Sequence, residues 1–270
     1  MTCVSIPVPY AGAPVAAIPL LEVREISVSF GGLRILDNVS LNVPAGMIVG
    51  LIGPNGAGKT TVFNVISGFV APEKGAILLD GQKHKMKPWK LPALGIARTL
   101  QGVGLFDSLT VRQNVITGGE VDRKDGVLSW LTAAPRADRA EFAAQARADQ
   151  LLSQLKIAEF ADRLPTDLPY PIRKRVAIAR ALMCNPRLLM LDEPAGGLSQ
   201  QDIDELAALL KTLTPQTTIL LVEHHMDFVM GICEQIYVLD AGKIIAKGTP
   251  TEVQNNEQVR AAYLGSDDVA

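Results

Sequence analysis

The chain has 270 residues, of which 48% are hydrophobic, 20% charged and only 5% aromatic, enough apolar material for one large α/β domain or two small ones and too much for a disordered chain. Its 26 basic and 28 acidic side chains leave a formal charge of -2, which argues against nucleic acid as the main partner and means that any anion is held locally. Three cysteines, Cys3, Cys184 and Cys233, are too few and too odd in number for a disulfide framework and point to a reducing compartment, read here as the cytoplasm.

Residues 1–20 read as a flexible, extended leader. The first 21 residues carry no charge, yet Pro7, Pro9, Pro14 and Pro19 interrupt any helix and no basic segment comes before the apolar residues. No other stretch approaches the roughly 20 apolar residues of a spanning helix, so any membrane crossing falls to other chains. Residues 23–30 and 39–43 are β-rich runs punctuated by Gly31-Gly32 and Pro44-Ala45-Gly46, which predicts a small antiparallel subdomain. Residues 47–52 are almost continuously apolar, as expected of a strand buried on both faces of a mostly parallel sheet. The basic run Lys83-His84-Lys85-Met86-Lys87 reads as a solvated hairpin turn. Between about residues 91 and 183 the composition turns helical, and the apolar residues of 136–156 recur at helical spacing; this predicts an inserted helical subdomain. Strand and helix then alternate again, with strands at 188–191, 218–222, 236–239 and 243–246 and helices at 202–211 and 226–232, before a short tail at 266–270.

The segment Gly53-Pro54-Asn55-Gly56-Ala57-Gly58-Lys59-Thr60 satisfies G-x-x-x-x-G-K-[ST] and lies after an apolar strand and before a helix, where a phosphate loop belongs. A triphosphate needs many backbone N–H groups converging without side chains in the way, together with the positive end of a helix dipole. Lys59 adds a charge for the β and γ phosphates, Thr60 a hydroxyl for magnesium, and Thr61 adjoins them. The fold class is therefore an α/β P-loop NTPase core with the antiparallel and helical subdomains attached. A magnesium nucleotide site also needs a carboxylate at a neighbouring strand end, and the apolar run at 188–191 ends in Asp192-Glu193. Asp192 would hold the metal, through water, while Glu193 would orient and deprotonate the attacking water. The expected cofactors are ATP and Mg2+.

This combination resembles the ATPase subunits of ABC transporters from about Leu21 to Gly265. The resemblance implies that Gln101 is the glutamine that contacts metal and water, that His224 contacts the γ-phosphate, and that Phe30, 23 residues before Gly53, either stacks on adenine or is a core strand aromatic. His225 and His84 are read as surface residues. The likeness is closest to importers of branched-chain and hydrophobic amino acids, on Phe30-Gly31-Gly32-Leu33, Phe63-Asn64-Val65-Ile66-Ser67-Gly68, Leu94-Gly95-Ile96-Ala97-Arg98-Thr99, Val222-Glu223-His224 and Ala262-Tyr263-Leu264-Gly265. Urea and short-amide importers share that subfamily. What it implies is an ATPase at the cytoplasmic face of the membrane, working with integral permease subunits and, indirectly, an extracytoplasmic substrate-binding protein. A non-transport nucleotide switch of the same build is the alternative from another class. A phosphate-loop kinase is set aside for want of any acceptor pocket.

One motif departs from that family. Its signature, L-S-G-G-Q or L-[AP]-Y-G-Q, is replaced by Leu168-Pro169-Tyr170-Pro171-Ile172, with Pro171 for glycine and Ile172 for glutamine. In a pair of such subunits this segment of one chain caps the γ-phosphate held by the other, through backbone N–H groups at a helix start, and proline has none to offer. Folding is expected to tolerate it, because proline suits the first helical position. Each lost bond to a phosphate oxygen is worth roughly 1.5 to 3 kcal/mol, so one or two losses would weaken closure by about ten-fold to on the order of ten-thousand-fold. Ser199 also stands where many relatives have aspartate, at the contact between the two sites. Since the loop, Asp192, Glu193, Gln101 and His224 look intact, the expected partner is a second ATPase subunit with an intact signature.

Overall fold

The structure, a computed structural model, describes residues 18–99, 102–122, 135–214 and 216–264. Residues 1–17 of the expected 1–20 leader, Gln101 and the expected tail at 266–270 lie outside these residues. At Gly31-Gly32 both φ values, 55° and 86°, are in the left-handed region that suits glycine, and the chain reverses there. Strands β1 (Leu21–Phe30) and β2 (Leu33–Val43) consequently pair antiparallel, and with β4 (Lys74–Leu79) and β5 (Gln82–His84) they form a sheet of order β2-β1-β4-β5.

A second sheet has the order β10-β9-β3-β8-β7-β6, built from β3 (Ile48–Ile52), β6 (Ile96–Arg98), β7 (Leu188–Asp192), β8 (Thr218–Val222), β9 (Gln235–Asp240) and β10 (Lys243–Gly248). Every neighbouring pair is parallel except β9 and β10. Every residue of β3, β7 and β8 is buried, as continuous apolar runs require when both faces of a sheet are covered.

Alternation along these strands feeds two cores. Val49, Leu51, Leu220 and Val222 pack with Val62, Phe63 and Ile66 of α1 (Lys59–Ile66) and with Ile26, Leu36 and Val39 of the antiparallel sheet. Ile48, Ile52, Leu189, Leu191 and Leu221 face the other way. There they meet Leu151 and Leu152 of α3 (Pro135–Gln154), Val176 and Ala179 of α4 (Tyr170–Leu182), and Leu206 and Leu210 of α5 (Gln200–Leu213). The short α2 (Val111–Ile116) joins this side, opened by a capping box between Thr110 and Gln113. Helices α6 (Met226–Ile232), α7 (Pro250–Gln254) and α8 (Glu257–Leu264) complete the chain. Among the described residues, no helix is long and apolar enough to cross a membrane.

Three expectations need correction. The helical insertion does not begin near residue 91: β6 is a strand of the larger sheet, pairing Ile96 with Leu188 and Arg98 with Met190, so the insertion starts after Arg98. Three residues are too few to show a strand period, which hid β6 among its helical neighbours. The basic run at 83–87 is not a hairpin turn. The reversal is at Asp80-Gly81, with φ values of 48° and 76°, and Lys83 and His84 lie on β5 opposite Leu78 and Ile77. Strand β2 also starts six residues before the predicted 39, at Leu33.

Tyr237, on β9, links the two sheets: its hydroxyl accepts from Asn42 N at 2.9 Å and donates to Asn42 O at 3.3 Å. Tyr237→Phe leaves both backbone groups of Asn42 without that partner in a site where Tyr237 is fully buried. The expected cost is about 1 to 2 kcal/mol, read as a fall of roughly 2 to 8 °C in the thermal unfolding midpoint.

Candidate nucleotide site

Because β3, β7 and β8 run parallel, their carboxyl ends share one edge, and register places Leu51, Val222 and Asp192 in one row across it. Each strand delivers a functional segment there, as is general for open α/β sheets. From β3 comes the loop Gly53–Gly58, from β7 Asp192-Glu193, and from β8 Glu223-His224.

The loop holds a shape that only glycine permits at two points. Gly53 has φ 154° and a Cβ there would lie 1.9 Å from Leu239 O; Gly58 has φ 104° and its Cβ would lie 2.8 Å from Leu36 Cδ2. Gly58 is the N-cap of α1 and no side chain caps it, nor is there an acidic residue in the first turn. The first N–H with a helical partner is that of Val62, on Gly58 O at 3.0 Å, so the α1 start presents uncapped amides to an anion. Lys59 is buried, its ammonium donating to Gly53 O at 2.7 Å and Pro54 O at 2.9 Å. Burial lowers its pKa, opposed by the nearby charges of Glu193, Asp192 and Glu223. Asn55, Gly56 and Thr60 are exposed on the same loop and helix start, Pro54, Gly58 and Thr61 half-buried, and Gly53 and Ala57 buried.

Asp192 is held on one side by Arg98, Nη2 to Oδ2 at 2.9 Å, with the two side chains only 10% and 2% exposed. Arg98 also donates to Asn64 Oδ1 at 2.9 Å and Ser67 Oγ at 3.1 Å and stacks 5.4 Å from the Phe63 ring centroid. One carboxylate oxygen of Asp192, Oδ2, is thus committed to Arg98. Among the described residues, no cluster of three His, Cys, Asp or Glu could hold a metal alone. This donor set, one hydroxyl and one carboxylate beside an anion cradle, suits magnesium that arrives with phosphate oxygens and keeps its water.

Glu193 has φ 49°, a left-handed conformation costly for this residue, as often found at reactive positions. His224 is 48% exposed, with Nδ1 3.8 Å from Glu223 Oε2, and its ring lies 4.6 Å from that of His225. A cavity of about 440 Å³ gathers Thr99, Tyr170, Lys174, Asp192, Glu193 and His224. Phe30 is 52% exposed at the hairpin tip, so it is not a core aromatic, and its ring is available to stack. Gln101, expected at this site, falls outside the described residues.

Reasoning from sequence missed two site residues. Arg98 gave no signal of its own, because the pairing with Asp192 spans 94 residues. Glu223 is fully buried and accepts from Ala195 N at 2.6 Å, His224 N at 2.9 Å and His225 N at 3.3 Å, tying the end of β8 to the loop after Glu193. A carboxylate next to the histidine, after the four apolar residues Ile219–Val222, was the available hint.

A correction applies at α4. Pro171 is its second helical residue, not its first, because Pro169 is the N-cap and Tyr170 opens the helix. Arg173 N bonds to Pro169 O at 3.1 Å, so the amides left for an external partner belong to positions 169–172, and two of those four are proline. Only Tyr170 and Ile172 retain an N–H. Ser199 is the N-cap of α5, its oxygen accepting from Asp202 N at 3.3 Å.

A parallel sheet with an uncapped glycine-rich helix start and an acidic doublet two strands away defines a nucleotide-phosphate-binding ATPase core. A family model described as ABC transporter matches residues 36–196, and one described as branched-chain amino acid ATP-binding cassette transporter matches residues 243–269. The chain is 43% identical over 250 residues to the high-affinity branched-chain amino acid transport ATP-binding protein LivG of Escherichia coli K12, covering 92% of this chain and 98% of that one. Identity is 40%, with the same coverage, to the high-affinity branched-chain amino acid transport ATP-binding protein BraF of Pseudomonas aeruginosa. A crystal structure of an ATP-binding cassette of an ABC transporter in its ADP conformation superposes with a TM-score of 0.78 at 30% identity, covering 91% and 98% of the two chains. The chain belongs to the ABC transporter family, as an ATP-binding domain whose ATP hydrolysis is coupled to transport.

Arg98→Ala leaves the Asp192 carboxylate buried without its cation. The expected loss is about 3 to 5 kcal/mol of unfolding free energy in urea, and Arg98→Ala with Asp192→Asn together should lose less than Arg98→Ala alone.

Proposed function

We propose that this chain powers an importer of branched-chain or other hydrophobic amino acids as one half of an asymmetric pair of ATPase subunits, at the cytoplasmic face of the membrane. Similarity to LivG over nearly the whole of both chains, with the separate match at 243–269, supports the cargo class. Urea or another short amide is the alternative cargo, since nothing at the nucleotide site selects among solutes. Permease subunits would dock in a groove of about 470 Å³ between the core and the helical insertion, where Phe69 and Phe106 stand 61% and 54% exposed. A substrate-binding protein would act through those permeases.

In this reading the amides of Gly53–Thr61 and Lys59 hold the phosphates, and Phe30 stacks on adenine. Magnesium would be held by Thr60, Asp192 and Gln101, and supplies charge neutralisation on the phosphates. Glu193 aligns and deprotonates water, while His224 offsets charge developing on the γ-phosphate. Catalysis then consists of positioning and electrostatics, with the strained Glu193 backbone aiming its carboxylate.

The proline content of the α4 start is the observation that carries the asymmetry. In a symmetric pair both composite sites would receive a cap that lacks the amide of Pro171, a donor that the glycine of either signature form supplies. Paired with a subunit whose signature is intact, this chain's own phosphate loop receives a full cap, and only the opposite site is weak. That site binds more than it turns over.

Purified alone, the chain is expected to show little ATPase, rising at least tenfold when mixed with the second ATPase subunit and abolished by Glu193→Gln; brisk turnover by the isolated chain would refute the asymmetry. Pro171→Gly with Ile172→Gln returns one backbone donor, so the isolated chain should gain about ten- to hundredfold. No gain would remove the signature from the explanation.

A further inference from the structure

Lys174 lies in the second turn of α4, on the helix whose first turn is the altered signature, and its ammonium is bonded within its own chain. It donates to Glu193 O at 2.9 Å and Pro194 O at 2.8 Å of its own chain. It also lies 5.3 Å from the Tyr170 ring centroid, and Tyr170 in turn packs on Gly197, whose Cβ would come 3.2 Å from Tyr170 Cε1. On the other side of the same turn, Glu223 accepts from Ala195 N at 2.6 Å. The turn after β7 is therefore gripped at both ends of its peptide dipoles, a cation on the carbonyls of 193 and 194 and an anion on the amide of 195. Glu193 opens this turn at φ 49°, a conformation that persists only where its surroundings enforce it.

We propose that Lys174 is a positioning residue that transmits the placement of the α4 start to Glu193 of the same chain. This rests on Glu193 being the residue that aligns water. Lys174 touches no reacting atom; it acts by fixing the carbonyl of Glu193 and that of the next residue, Pro194. When the start of α4 engages nucleotide held by a second subunit, Lys174 moves with it, and the alignment of Glu193 in this chain's own site reports that engagement. The signature segment thus acts on both composite sites at once: through its amides on the opposite one, and through Lys174 on its own. Burial of Lys174, which lowers its pKa against the charges of Glu223 and Glu193, agrees with an ammonium committed to these carbonyls rather than to water.

The test uses Lys174→Met, which keeps the stem against Tyr170 and removes the charge, and Lys174→Arg, which keeps the charge. Hydrogen exchange of the full-length chain should show the Gly196 amide, bonded to Glu193 O at 3.2 Å, exchanging at least tenfold faster in Lys174→Met, with the thermal midpoint little changed. In the assembled complex, kcat should fall about ten- to hundredfold while KM for ATP stays within about threefold, and Lys174→Arg should recover most of both effects. Exchange and kcat at wild-type values in Lys174→Met would overturn the proposal, as would a rise in KM with kcat unchanged. If Lys174→Met does not fold, Lys174→Gln, able to serve one carbonyl, should give intermediate exchange, and wild-type exchange there is equally fatal. Glu193→Gln separates the two levels. Wild-type turnover in that variant removes Glu193 as the water-aligning group, whereas the exchange result stands or falls on Lys174 alone.

Discussion

The site depends on one electrostatic constraint: three carboxylates, Asp192, Glu193 and Glu223, gather at the carboxyl edge of a parallel sheet, where their mutual repulsion must be offset locally. Each answer is a different piece of chemistry. Asp192 has the buried guanidinium of Arg98 at 2.9 Å, Glu223 has three backbone N–H groups, and Lys59 and Lys174 feel the field of both Glu193 and Glu223. A buried ion pair of this sort contributes little net stability, because desolvation consumes most of the attraction. Its value is geometric. Asp192 and Glu223 are thereby fixed in place by partners within the chain.

What was legible in the sequence were the features enforced within a few residues. Gly53 and Gly58 announce backbone angles that no other residue takes easily, and the runs at 47–52, 188–191 and 218–222 announce strands with no exposed face. The helices at 226–232 and the tract after 136 show their period over several turns. What was not legible is carried by contacts between distant parts of the chain. Arg98 meets Asp192 across 94 residues and Lys174 meets Glu193 across 19, on a different element. Neither residue type is unusual for its local setting, so nothing in the neighbourhood marks it. β6 failed for a different reason: a three-residue strand has no period to read, and its membership of the sheet is decided by Leu188 and Met190 beside it.

The two helix starts that matter for phosphate chemistry are opposites within one chain. At α1 the N-cap is glycine and the first-turn amides are uncapped, so the positive end of the helix is available. At α4 the N-cap and second residue are both proline. Proline's fixed φ favours starting a helix, so α4 forms readily, and its dipole has the same sign as that of α1. What is missing is direct hydrogen bonding, which is stronger and more directional than the dipole alone and falls away with each absent N–H. The sequence change therefore removes donors while leaving the helix intact, the combination that the proposed asymmetric pair would require.

That separation also explains why α4 stays joined to its own active edge despite its altered start. Arg175, one residue beyond Lys174, is buried and pairs with Glu205 of α5 at 2.5 Å, and Tyr170 lies against Gly197 in the loop leading into α5. Side chains thus bind the helix to the loop and the following helix from three successive directions, none using the backbone donors that the prolines remove. These contacts tie the start of α4 to the turn that bears Glu193. In the proposed pair, a weakened cap on the opposite nucleotide would leave this linkage intact, because none of the three side chains depends on the missing amides. The chain would then be better suited to receive a well-formed cap than to supply one.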